Sequence, residues 1–81
     1  MKQQLLKRIT VDPQVMVGKP VINGTRLTVE YILNLLAHGA TPAEIVEEYD
    51  GLAVDDIYAC LLFASRFLED TDFMPLVPEF A

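Results

Sequence analysis

The chain has few of the residue types on which disulfides, membrane spans and metal sites depend. Its 81 residues include one cysteine, one histidine and no tryptophan, and its 6 basic residues face 12 acidic ones. The single Cys60 cannot form an internal disulfide, and no apolar run approaches the ~20 residues of a membrane span. No long apolar segment follows the charged N-terminus, as it would in a secretory signal. We therefore expect a cytoplasmic protein without a membrane-spanning segment.

The sequence also lacks an evident catalytic constellation. His38 lies near a predicted helix end, where it interacts favourably with the helix dipole and can form hydrogen bonds with the terminal carbonyls. Cys60 falls within an apolar run, which is typical of an inert core thiol. Neither Ser65 nor Thr25 has an evident activating base, and the acidic residues have no metal-ligand spacing. The sequence thus predicts a protein that is not an enzyme and that needs no cofactor or metal.

Basic residues are scarce, but they are concentrated near the N-terminus. Residues 1–26 carry five basic residues and one acidic residue, whereas residues 27–81 carry eleven acidic residues and one basic residue. This basic set can contact phosphates in the manner of a β-ribbon DNA binder, or it can pair with acidic residues of the same protein. The tentative nucleic-acid-binding residues are Lys7, Arg8, Lys19 and Arg26.

The N-terminal third reads as a small β element. Residues 8–11 alternate and stop at a turn-forming Asp-Pro pair, and residues 15–17 form a second short run that ends at Gly18. Asn23-Gly24 then predicts a type I′ hairpin turn between arms at residues 21–22 and 25–27.

The remainder reads as three helices. The first is predicted over residues 29–38 with Thr28 as its cap. The second begins with a capping box made by Thr41 and Glu44, with Pro42 at its first position. The third runs from about Val54 to residue 69 or 70 and contains eight consecutive apolar residues, 57–64. We predict a mainly α fold, a three-helix homeodomain-like (helix-turn-helix) bundle preceded by a short β-hairpin.

Residues 8–13, 18–27, 41–45 and 55–57 carry a resemblance to a known family. Over residues 8–68 the chain resembles the small bacterial proteins grouped as domain of unknown function 433. The resemblance implies a homeodomain-like fold and a role as the antitoxin of a toxin–antitoxin pair whose partner is a PIN-like ribonuclease. The chain departs from a groove-reading protein at Asp55 and Asp56, where a recognition helix needs Arg, Lys, Asn or Gln.

The apolar surface of so small a domain predicts assembly. A helix that is apolar all round is enclosed on more than one side, and 81 residues leave little to enclose it. The predicted dimer interface comprises Ile57, Tyr58, Leu61 and Leu62. We divide the chain into one domain over residues 1–70, with the β element over 8–27 and the helical bundle over 28–70, and an extended tail over 71–81. The tail either packs on a bundle or binds a partner, through Phe73, Met74, Leu76, Val77 and Phe80.

The sequence leaves three functions open. The first is an antitoxin-like homodimer that sequesters a PIN-like nuclease and regulates its own promoter. The second is a helix-turn-helix DNA-binding regulator without a toxin, which the basic N-terminal region favours and the acidic helices oppose. The third is a plain oligomerisation module.

Overall fold

The computed structural model describes residues 2–69, and their fold is mainly helical with a small two-stranded antiparallel sheet near the N-terminus. Residues 70–81 lie outside the described residues, and with them the five predicted partner-binding residues of the tail. Helix α1 spans Lys2–Leu6, strands β1 and β2 span Ile9–Thr10 and Val21–Ile22, and three longer helices follow. These are α2 (Val29–Ala37), α3 (Pro42–Glu48) and α4 (Val54–Glu69).

The predicted hairpin forms only in part. Strand β2 pairs with β1, with Ile9 opposite Ile22. The predicted second arm at residues 25–27 is not a strand, but the Ile22 N–H donates to the Leu27 carbonyl at 3.0 Å, and Val21 forms an antiparallel bridge with Thr28. The reason lies in the hydroxyl of Thr25. It donates to the Ile22 carbonyl at 2.8 Å and accepts from the Leu27 N–H at 3.0 Å. A side chain that binds neighbouring backbone groups in this way stabilises a turn at the expense of a strand ladder.

The turn at Asn23-Gly24 forms, but not as type I′. Thr25 N–H donates to the Ile22 carbonyl at 3.0 Å, and Gly24 has φ +78°. A type I′ turn needs positive φ at both central positions, and within residues 2–69 Asn23 is not among the residues with positive φ. One left-handed residue in the second central position is what a type II turn requires.

Two further N-terminal segments differ from the sequence expectation. Residues 2–6 form α1, which the sequence analysis did not predict. The predicted short strand at residues 15–17 is a turn: Met16–Gly18 form a short 3-10 segment in which Met16 and Val17 have φ of 50° and 58°. Left-handed backbone is unusual for a β-branched residue and costs about 1–3 kcal/mol.

The three predicted helices are confirmed to within a residue at their described ends. Thr28 caps α2 by accepting from the Tyr31 N–H at 3.0 Å, and α3 has both hydrogen bonds of the predicted capping box. Helix α4 contacts α1, α2, α3 and β1, so it is the central element of the fold. The core comprises Ile22, Val29, Ile32, Ile45, Leu52, Ile57 and Cys60. None of the helices within residues 2–69 has the length and apolarity to cross a bilayer.

Candidate protein-binding surface

Two of the four predicted nucleic-acid-binding residues are paired within the chain. The Arg8 guanidinium donates to the Asp56 carboxylate at 3.0 Å and lies 3.7 Å from that of Asp55. Lys19 donates to Glu30 at 3.2 Å, at the first turn of α2. The alternative of pairing with acidic residues of the helices therefore applies to both cations.

The other two basic residues lie near the turn at residues 23–26. Asn23 ties the end of α1 to this turn, since its side-chain amide donates to the Lys7 carbonyl at 2.6 Å and its N–H donates to the Arg8 carbonyl at 2.8 Å. Within residues 2–69, neither Lys7 nor Arg26 forms an ion pair. The cations that remain open to an anionic partner are thus Lys7 and Arg26, half of the predicted set.

The acidic start of α4 serves the fold. Asp56 is 6% exposed, and its second carboxylate oxygen accepts from the Ala53 N–H at 2.8 Å. One carboxylate therefore caps α4 and holds Arg8, which follows α1. This geometry explains why acidic residues occupy the helix start at which a DNA-reading helix needs donors.

The predicted dimer interface on α4 is divided between the core and the surface. Ile57 is fully buried within its own subunit, so it offers no area to a partner, and that part of the prediction needs correction. Tyr58 and Leu61 are 49% and 43% exposed, and Leu62 is half-buried. These three stay a predicted interface, because they lie on the side of α4 that faces away from the core.

Sequence reasoning missed an apolar groove between α2 and the second half of α4. The groove has a volume of about 660 Å³, with Glu30 and Asn34 at its polar edge. Its apolar lining, which we call the α2–α4 groove, comprises Pro20, Val29, Leu33, Phe63, Ala64, Phe67 and Leu68. The available signal was the spacing on α4: residues 63 and 67, and 64 and 68, are four apart and share a helix face.

The groove continues toward the exposed face of α4. Leu68 is 60% exposed and lies seven residues after Leu61, so both lie on the same side of the helix. Tyr58 in the first half of α4 and Phe67 in the second half are also exposed, at 49% and 66%, so apolar side chains are in contact with water along most of this helix. Exposed apolar side chains on one side of a helix, such as Leu61 and Leu68, are typical of an interaction site.

The candidate catalytic side chains have structural surroundings. Cys60 is fully buried, and burial together with the nearby Asp56 charge raises the pKa of its thiol to about 12. A thiol with that pKa stays protonated and is a poor nucleophile at neutral pH. His38 bonds through Nδ1 to the Asn34 carbonyl at 2.8 Å, at the end of α2. Within residues 2–69, no three His, Cys, Asp or Glu side chains cluster as ligands for a metal ion.

Comparison with known proteins places this arrangement in a family. The family described as "Protein of unknown function (DUF433)" matches residues 9–64. A crystal structure of a DUF433 member protein from Anabaena variabilis is similar in fold, with a TM-score of 0.73 and 28% identity. That match covers 83% of this chain and 66% of the other, so this chain spans slightly less than two thirds of that protein's length. No curated protein matches the chain. The chain belongs to the DUF433 family.

Proposed function

We propose that this protein is an antitoxin-like binding protein of the cytoplasm, which acts as a homodimer and sequesters a PIN-like nuclease. The observation that carries the proposal is the exposed apolar surface of α4. Tyr58 and Leu61 keep nearly half of their surface in water, although they lie on the central helix of a small domain. A second copy that covers them removes apolar area from water, at about 25 cal/mol per Å².

The buried Cys60 thiol, whose pKa is raised to about 12, and the lack of a metal-ligand cluster among residues 2–69 support a binding role over a catalytic one. The nuclease partner itself rests on the family resemblance. We infer a helix-turn-helix arrangement of α2, α3 and α4, supported by the short α3 and the five-residue connection to α4. Promoter binding forms the weaker part of the proposal, because Arg8 and Lys19 are engaged by carboxylates of the same chain.

The dimer is tested by light scattering at micromolar concentration. We expect twice the subunit mass for the protein and one subunit mass for Leu61→Asp, since an unpaired charge in an apolar interface costs several kcal/mol. Val11→Asp is the matched control, because Val11 is an exposed apolar residue, at 57% exposure, and lies outside α4. It should stay dimeric. A monomeric parent protein would contradict the dimer, and equal dissociation of both variants would contradict the placement of its interface on α4.

The partner is tested by the neighbouring reading frame. We expect it to encode a PIN-like nuclease that co-purifies with this protein when the two are co-expressed and that loses activity in the complex. If instead the purified protein retains promoter DNA at low salt and has no nuclease partner, the regulator without a toxin becomes the better description. Two phosphate contacts per copy, from Lys7 and Arg26, give a log–log salt slope of roughly −0.9 per contact, so low salt is the sensitive condition.

A further inference from the structure

We propose that the α2–α4 groove holds the C-terminal segment of the same chain, residues 73–80. The groove reaches the end of the described chain, since Leu68 lines it and α4 spans Val54–Glu69. Twelve residues follow Glu69 in the sequence. The inference goes beyond the proposed function, since it needs neither a nuclease nor a second copy.

The composition of the segment fits an apolar groove. Residues 73–80 read Phe-Met-Pro-Leu-Val-Pro-Glu-Phe, so five of eight are large apolar residues other than proline. Two prolines forbid a regular helix and favour an extended backbone. They also remove two backbone N–H groups that would otherwise need partners inside an apolar site. A groove of about 660 Å³ lies in the range of roughly 300–1,000 Å³ that accommodates compact ligands, here a few side chains.

The length of the segment also fits. From Phe63 to Leu68 the α4 wall of the groove rises about 7.5 Å, at 1.5 Å per residue. Five extended residues, 73–77, cover about 16 Å, at roughly 3.3 Å each. The polar residues 70–72, Asp-Thr-Asp, are of the turn-favouring type that a reversal of the chain after α4 requires.

The groove could take the C-terminal segment of its own chain or that of a second copy, and covalent attachment favours the segment of its own chain. A three-residue linker gives an effective local concentration of about 1 mM, whereas a second copy in a micromolar solution is about 10³-fold more dilute. The intramolecular arrangement is therefore favoured at micromolar protein. In this arrangement Tyr58 and Leu61, which do not line the groove, stay available for the proposed dimer.

The test is a nuclear Overhauser experiment on the full chain. We expect contacts between the Leu33 or Leu68 methyl groups and protons of residues 73–77 in uniformly labelled protein. A mixed sample of labelled and unlabelled chains, recorded with isotope filters, should lack them, because that sample reports only contacts between copies. Contacts that also appear in the mixed sample would assign the groove to the segment of a second copy. A lack of contacts in both samples would show that the segment does not occupy the groove. Either result overturns the proposal.

A substitution provides the second measurement. Leu76→Ser combined with Val77→Ser should shift the Leu33 and Leu68 methyl resonances and raise anilinonaphthalene sulfonate fluorescence several-fold, because the groove becomes accessible to the dye. Val11→Ser is the control, since Val11 is 57% exposed and does not line the groove. Unchanged resonances and fluorescence in the double variant would contradict the proposal. The mass by light scattering should not change, so this result is separable from the dimer test.

Discussion

Substitution of Asp56 by alanine is the sharpest test of how the fold is held together. The carboxylate accepts from the Ala53 N–H at 2.8 Å and from the Arg8 guanidinium at 3.0 Å, and the residue is 6% exposed. Alanine removes both acceptors at once. The N–H before α4 and the guanidinium after α1 then lose their partner, and the central helix loses its link to the N-terminal elements.

The expected loss follows from these two contacts. A helix-capping contact contributes about 1 kcal/mol, and a hydrogen bond to a charged group about 1.5–3 kcal/mol. The Arg8 side chain is 40% exposed, so water recovers part of the second contribution. We expect Asp56→Ala to lower the free energy of unfolding by about 2–3 kcal/mol. That is a large fraction of the roughly 4–10 kcal/mol typical of a domain of this size.

Urea unfolding at pH 7, followed by circular dichroism, measures the effect. Asp55→Ala is the matched control: its side chain is 60% exposed and lies 3.7 Å from Arg8, so we expect a loss below about 0.5 kcal/mol. Asp56→Asn keeps the shape of the side chain and one acceptor, so its loss in the free energy of unfolding should lie between those of Asp55→Ala and Asp56→Ala. It provides the measurement if Asp56→Ala does not fold. Equal losses at positions 55 and 56, or a loss under about 1 kcal/mol for Asp56→Ala, would refute the reasoning.

Three further predictions follow from single contacts. Burial raises the pKa of the Cys60 thiol from 9.0 to about 12, so the thiol loses its proton more readily in the unfolded chain. The stability that the protonated thiol contributes is therefore fully present below pH 9 and is lost as the pH rises toward 12. Cys60→Ala should flatten this alkaline loss in urea unfolding, and native Cys60 should resist thiol reagents at pH 8. Thr41→Ala should cost about 1 kcal/mol in the same unfolding assay, because α3 loses its cap. The Tyr31 hydroxyl, 2.5 Å from that of Tyr49, is the main cause that raises the pKa of Tyr49. Tyr31→Phe should therefore lower that pKa in an ultraviolet titration, and an unchanged titration would contradict this assignment.

The uneven charge of the sequence has a structural consequence that net charge alone does not reveal. Arg8 joins the N-terminal elements to the start of α4, and Lys19 joins the segment before β2 to α2. Two of the basic residues thereby neutralise acidic residues of the helices. The basic N-terminal part and the acidic helices are thus joined by ion pairs within one domain. These pairs weaken the argument for a DNA-binding patch.

Local signals in the sequence were sufficient for the helices. The capping residues Thr28 and Thr41, the apolar spacing of α2 and the apolar run of α4 are local features of the sequence, so they could be recognised without knowledge of the fold. The family resemblance also rested on contiguous stretches and is confirmed over residues 9–64. The β element could be recognised, but not the pairing of β2 with β1 or the short extent of the second arm. The Thr25 hydroxyl bonds backbone groups of Ile22 and Leu27, so that arm keeps one bridge to β2.

The sequence by itself determined the three longer helices, the capping box of α3, the small β element and the family. Only the tertiary structure decided which face of α4 is covered. It placed Ile57 in the core, left Tyr58 and Leu61 in water, and opened a groove beside Leu68. The physical reason is that helical periodicity identifies which residues share a face, whereas the neighbour that covers each face comes from elements far away in the chain. Eight consecutive apolar residues carry no periodic contrast, so their burial depends entirely on where α1, α2 and α3 pack.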